Sequence, residues 1–164
     1  MALKLLLLDR DGVLNFDPGT YTFEQEKFAI LPGVLDAFLA LKNTGIKIAV
    51  ITNQGGIAKG IYTAKAVIKL HTNFNFYLKR NGAQPVNKFY FCPHHNELGN
   101  CLCRKPKSLM LEKALADFNI SPDEALFFGD SDRDVVAGEK AGVTSVLLNK
   151  NGNLWEQIGD RING

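Results

Sequence analysis

The chain has little that would mark it for a specialised environment. Only three cysteines occur in 164 residues, and an odd number excludes a complete disulfide framework. Net charge is nearly absent, +2 from 19 basic and 17 acidic residues. With no basic run either, the surface of a polyelectrolyte that grips nucleic acid is excluded. No apolar stretch is long enough to cross a bilayer. The first one, in MALKLLLLDRDG, stops at Asp-Arg-Asp without a small-residue cleavage site, so it does not read as a signal peptide. Internal repeats, low-complexity tracts and an interdomain linker are also missing. What is present is 46% hydrophobic and 22% charged residues, the profile of a soluble globular chain with enough length for a substantial core. The expectation is one domain over residues 1–164, cytoplasmic, with no nucleic-acid or membrane partner.

The apolar runs at 3–8, 46–51, 89–91, 125–128 and 144–148 read as strands, several of them continuous enough to be buried on both faces. Between them lie helical patterns. Val34, Leu35, Phe38, Leu39 and Leu41 recur at helical spacing before the stop Asn43-Thr44-Gly45. Thr63 can cap a helix with the stripe Ala64, Val67, Ile68, His71, Phe74 and Leu78. Further helices are expected at 108–118 and 132–141, and an amphipathic turn carrying Leu154, Trp155 and Ile158 should dock at the end. Strands alternating with helices predict an α/β fold: a Rossmann-like three-layer α/β/α arrangement around a central parallel sheet. Ligands of such sheets bind beyond the carboxyl ends of the strands. Those ends are followed by Asp9-Arg10-Asp11-Gly12, by Thr52-Asn53-Gln54-Gly55-Gly56, by a Cys/His loop, and by Gly129-Asp130-Ser131-Asp132-Arg133-Asp134.

Asp9, Asp11, Asp130, Asp132 and Asp134 are thus expected at one edge. Crowded carboxylates repel unless a cation compensates, and hard oxygen ligands suit Mg²⁺. Asp132, at a helix start, reads as a cap or turn residue. The Cys/His loop is CPHHNELGNCLCRKP, residues 92–106. Cys92, His94, Cys101 and Cys103 offer three thiolates and an imidazole, the donor set of a closed tetrahedral Zn²⁺ site. Redox Cys-x-x-Cys spacing is absent. A short polar segment without a core of its own is naturally ordered by a metal. His95 is expected at the surface, because adjacent side chains point apart, and His71 in the core.

LLLLDRDGVLN, IAVITNQGGIAKG, RKPK and ALFFGDSDRD resemble, in order, the four motifs of the haloacid dehalogenase superfamily, and the resemblance covers nearly the whole chain. It implies a capless, monomeric phosphatase with a small-molecule substrate and a zinc-binding loop at 92–103. It implies that Asp9 is the nucleophile that forms an aspartyl-phosphate and that Asp11 is the general acid and base. Thr52 and Lys105 would contact the transferring phosphoryl group. Mg²⁺ would be held by Asp9, the Asp11 backbone carbonyl and Asp130, with Asp134 orienting Lys105 or a metal-bound water.

CPHH…CLCRKP is similar to the subgroup containing the D,D-heptose 1,7-bisphosphate and histidinol-phosphate phosphatases. NFDPGTY and GIAKGIYT look like the heptose enzymes' substrate segments. They imply substrate contacts from Asp17, Gly19, Tyr21, Asn53, Gln54 and Lys59, with Arg104 facing a second phosphate or sugar hydroxyls. The implied reaction removes the 7-phosphate of the heptose bisphosphate. Histidinol phosphate is the alternative, ahead of a polynucleotide 3′-phosphate or a non-catalytic zinc module. Ser131 stands where these relatives usually carry Lys or Arg, which leaves Arg133 and Lys150 to supply that charge.

Overall fold

The computed structural model describes residues 2–163. Five strands form one parallel sheet: β1 (Leu5–Leu8), β2 (Lys47–Asn53), β3 (Lys88–Cys92), β4 (Ala125–Gly129) and β5 (Thr144–Leu147), in the order β3-β2-β1-β4-β5. β1 is central, and all four of its leucines are fully buried. Alternate side chains leave a strand on opposite faces, so β1 feeds two cores. Leu6 and Leu8 pack with Ile48, Val50 and Phe128 beneath helices α1 (Val34–Ala40), α2 (Ala64–Arg80) and α5 (Leu154–Ile162). Leu5 and Leu7 pack with Ala49, Ile51 and Phe127 beneath α3 (Leu109–Phe118) and α4 (Asp132–Lys140).

The register aligns the strands' carboxyl ends. Leu8 pairs with Val50 and Phe128, Asn53 with Cys92, and Gly129 with Leu147. The residues that follow therefore share one edge. Thr52, Asn53 and Cys92 lie inside their strands rather than after them, so backbone pairing fixes their positions. Among the described residues, the spans between β1 and β2 and between β2 and β3 hold only loops, a 3-10 turn, α1 and α2, and nothing roofs the edge.

Three expectations change in detail. On α2, Leu70 is buried and Ile68 is 54% exposed, so the stripe runs through Val67, Leu70, His71, Phe74 and Leu78. The terminal turn is a nine-residue helix, α5, whose Asn153 cap accepts the Glu156 N–H. Asp132 does not cap α4. Ser131 holds the cap position, with its hydroxyl and N–H both donating to Asp134 Oδ2, and Asp132 is exposed as the first helical residue.

Candidate active site

Asp9 leaves the end of β1 and Asp130 the end of β4, while Asp134 lies one turn into α4. Carboxylate oxygens of all three lie within 4.8 Å of one another. Burial and the neighbouring Asp134 push the Asp9 carboxyl well above the usual range, against the pull of Lys105. Burial likewise raises Asp130. These are the signs of a site short of positive charge, and a hard divalent cation is the group that fits it. Gly12 makes the approach possible: its φ is +82°, and a Cβ there would collide with the Asp130 carboxylate.

Among the described residues, Lys105 is the one cation inside this cluster. Its Nζ donates to Asp9 Oδ1 (2.9 Å) and the Ile51 carbonyl (2.8 Å) and lies 2.7 Å from Asp134 Oδ1. Burial works against its charge, but Asp9 and Asp134 outweigh that and raise its pKa. Asp134 is saturated by Lys105 on one oxygen and Ser131 on the other, which suits it to hold Lys105 in place. The Lys105 backbone is gripped by Asn53, whose Oδ1 accepts the Lys105 N–H (2.9 Å) while its Nδ2 donates to the Lys105 carbonyl (3.0 Å).

Asp11 points into a different set of partners. Its Oδ1 accepts from Arg10 Nη2 (2.9 Å) and Asn15 Nδ2 (3.0 Å), and its Oδ2 from Gln54 Nε2 (3.0 Å). Burial pushes its carboxyl up, but the Arg10 guanidinium and these hydrogen bonds win and hold it below the ordinary value. Arg10 was not singled out in the sequence, where an Arg between two Asp looks like solvated charge. It is 1% exposed. Its Nη2 also donates to the Thr22 carbonyl (2.8 Å), and its Nη1 to His71 Nε2 (3.3 Å).

An arginine can only donate, so His71 must be the neutral tautomer that accepts at Nε2. Burial first, then Arg10, pushes the imidazole pKa down to about 3, and its ring stacks on Phe89 at 4.3 Å. This has a pH consequence. Above about pH 6.5 His71 is neutral in both states. Below that, the unfolded chain takes up a proton that the folded chain refuses until about pH 3, so this stability is lost as pH falls between the two values. Between pH 7 and 5 the loss amounts to about 2 kcal/mol. Urea unfolding at both pH values should show that much more acid sensitivity in the wild type than in a His71→Asn variant. Equal sensitivity would contradict the neutral, buried histidine.

The Cys/His donors also converge. Cys92 Sγ lies 3.5 Å from His94 Nδ1 and 3.7 Å from Cys101 Sγ, and Cys103 Sγ lies 3.3 Å from His94 Nδ1 and 2.9 Å from Cys92 Sγ. All three cysteines are free. The edge of a tetrahedron around zinc with ~2.3 Å Zn–S bonds is about 3.8 Å, close to most of these separations. The Arg104 N–H points at Cys101 Sγ (3.4 Å), a donor suited to a thiolate. The four donors therefore fit a zinc ion. His95 is half-buried rather than free at the surface. Its ring packs against Gly55, where a Cβ would clash with it and with Arg104, and its side chain is 12% exposed.

A cleft of about 500 Å³ joins these parts. Asp17, Gly19, Tyr21 and Arg104 line it, as do Ser131, Arg133 and Lys150. Asn53 and Gln54 line it too, with their side-chain amides also engaged inside the protein, Asn53 by the Lys105 backbone and Gln54 by Asp11, Thr52 and Tyr62. Lys59 is outside it. Its Nζ lies 3.4 Å from Glu97 and 5.9 Å above the Tyr21 ring, tying the zinc loop to the 17–22 loop. Lys150 pairs with Asp17 at 3.0 Å. Asn151, unremarked in the sequence, clasps the same loop by accepting the Asp17 N–H (2.7 Å) and donating to its carbonyl (2.9 Å).

Residues 3–142 match the family model of the haloacid dehalogenase-like hydrolases. The chain is 36% identical, over 96% of its length and 88% of the relative's, to the D-glycero-beta-D-manno-heptose-1,7-bisphosphate 7-phosphatase of Pasteurella multocida. It is 38% identical, over 90% and 80% of the two lengths, to the D-glycero-alpha-D-manno-heptose-1,7-bisphosphate 7-phosphatase of Burkholderia mallei. A solved structure, the D,D-heptose 1,7-bisphosphate phosphatase of B. bronchiseptica complexed with magnesium and phosphate, superposes with a TM-score of 0.84 at 30% identity, covering 96% of this chain and 87% of that one.

Proposed function

We propose that this chain, which belongs to the haloacid dehalogenase-like hydrolase family, is a phosphatase that removes the 7-phosphate of D-glycero-D-manno-heptose 1,7-bisphosphate. The observation that carries the chemistry is the buried Asp9–Lys105 pair at 2.9 Å, with Asp11 two residues away and held by its own donors. The heptose substrate is supported by relatives named for it across most of the chain. It is also supported by an open cleft that sets Arg104, Arg133 and Lys150 around the acidic centre, a distribution suited to a substrate with a second anionic group.

An Asp9 oxygen attacks phosphorus, the bond to the sugar oxygen breaks, and Asp11 gives that oxygen its proton. The resting Asp11 is ionised. A phosphate brought beside it raises its pKa by like-charge repulsion, so the proton is taken up as substrate binds. In the second step Asp11 removes a proton from the water that attacks the aspartyl-phosphate. Inorganic phosphate leaves and Asp9 is restored. Lys105 and the buried Thr52 hydroxyl stabilise charge on the phosphoryl oxygens. Bound Mg²⁺, for which Asp9, the Asp11 carbonyl and Asp130 are the holders, supplies charge neutralisation at the phosphoryl group. Zinc on Cys92, His94, Cys101 and Cys103 belongs to the same proposal, as does a reducing cytoplasm, which would keep these thiols available to the metal.

A phosphate-release screen with Mg²⁺ tests the substrate. The heptose 1,7-bisphosphate should be turned over at least about tenfold more efficiently than histidinol phosphate, because only it offers a second phosphate to the cations around the cleft. Preference for histidinol phosphate, or for a 3′-phosphorylated oligonucleotide, would replace the substrate.

A further inference from the structure

Gln54 and Tyr62 stand behind Asp11 with no task in the chemistry above. Gln54 is 2% and Tyr62 7% exposed. Gln54 Nε2 donates to Asp11 Oδ2 (3.0 Å) and to Thr52 Oγ1 (2.9 Å), and its Oε1 accepts from the Tyr62 hydroxyl (2.7 Å). An ionised carboxylate only accepts hydrogen bonds, so the amide can serve Asp11 only with its NH₂ turned inward. Tyr62 holds that orientation by donating to the oxygen. The Tyr62 ring is fixed in turn: Phe23 stacks on it at 5.0 Å, Tyr21 meets it edge-on at 5.8 Å, and Gly56 lies so close that a Cβ there would clash with it.

We propose that Tyr62 and Gln54 are positioning residues that relay the placement of the 21–23 loop to Asp11 and aim its carboxyl at the leaving oxygen. The proposal rests on the assignment of Asp11 as the acid and base. A carboxyl turns readily about its last bond, and a proton delivered in the wrong direction does no work. Arg10 and Asn15 hold one oxygen of Asp11 and Gln54 the other, so the group is fixed at both ends. Tyr21 lines the cleft, so a substrate that seats against the loop also seats the clamp on the acid.

The test is a leaving-group comparison with Tyr62→Phe, which removes one hydroxyl from a buried ring. The kcat/KM value covers steps up to phosphoryl transfer, where a sugar alkoxide needs the proton of Asp11 and a nitrophenolate does not. For the sugar phosphate, kcat/KM should fall about tenfold, against less than about twofold for p-nitrophenyl phosphate. A Gln54→Met variant should lose activity on both substrates, because Thr52 loses a donor as well. Adding Tyr62→Phe to Gln54→Met should cost nothing further. Equal losses on both substrates in Tyr62→Phe, or additive losses in the double variant, overturn the relay. A misfolded variant loses both equally and so counts against it. Wild-type protein that turns over no alkyl phosphate would remove the assignment of Asp11 itself, a separate failure.

Discussion

Asp9→Asn is expected to abolish phosphate release, by about four orders of magnitude or more, while the fold survives. The amide cannot form the aspartyl-phosphate, and the neighbouring carboxylates are committed elsewhere: Asp134 accepts from Lys105 and Ser131, Asp11 serves as the acid and base, and Asp130 as a holder of the metal. Losing a covalent nucleophile removes the whole two-step route, not one stabilising contact. The variant also separates chemistry from stability. Burial and Asp134 hold the Asp9 carboxyl well above its ordinary pKa, so without a cation its ionised form opposes folding at neutral pH. A neutral amide relieves that repulsion, and its oxygen can still accept from Lys105. The metal-free variant should therefore melt at the same temperature as the metal-free wild type, or higher. Retained turnover would sink the nucleophile; a large fall in melting temperature would sink the account of the crowded site.

What the sequence made legible was positional. A parallel sheet aligns strand ends, so residues at the carboxyl ends of β1, β2 and β4 had to meet, and the structure brings Asp9, Thr52 and Asp130 to one edge. Partners were not legible, because they come from segments far apart in the chain. Arg10 did not stand out because its acceptors, the Thr22 carbonyl and His71, lie outside its own loop. Asn53 and Gln54 were placed at the cleft, but what their amides bind depends on how near Lys105 and Tyr62 come. His95 followed a sound rule, that neighbours point apart. The side it points to is not solvent but Gly55, and only the fold shows that surface. α5 was underestimated because three large buried side chains, Leu154, Ile158 and Ile162, carry little periodic signal in a nine-residue segment.

Cys101→Ser is expected to lower zinc content, lower stability and raise KM more than it lowers kcat. Cys92 is anchored in β3, but Cys101 and Cys103 are only partly buried against the core, their loop up to α3 has no regular structure, and Leu102 is 78% exposed, so a metal is what ties the four donors together. A structural metal site of this kind contributes several kcal/mol. In a chain of this length, losing about 4 kcal/mol lowers Tm by roughly 10 °C. The catalytic effect depends on what each neighbour retains. Arg104 is placed by the loop itself, its N–H on Cys101 Sγ and its Nη1 donating to the His94 carbonyl (3.1 Å). Lys105, one residue on, is held from the sheet by Asn53 at its backbone and by Asp9, Asp134 and Ile51 at Nζ. Loss of zinc should free Arg104 and leave Lys105 in place. KM for the bisphosphate should then rise about tenfold with kcat within about threefold, a loss of binding without loss of transition-state charge stabilisation. Unchanged zinc by elemental analysis would refute the ligand set. A collapse of kcat at constant KM would mean that the loop acts through Lys105, and that the Asn53 clasp alone is too weak to hold it.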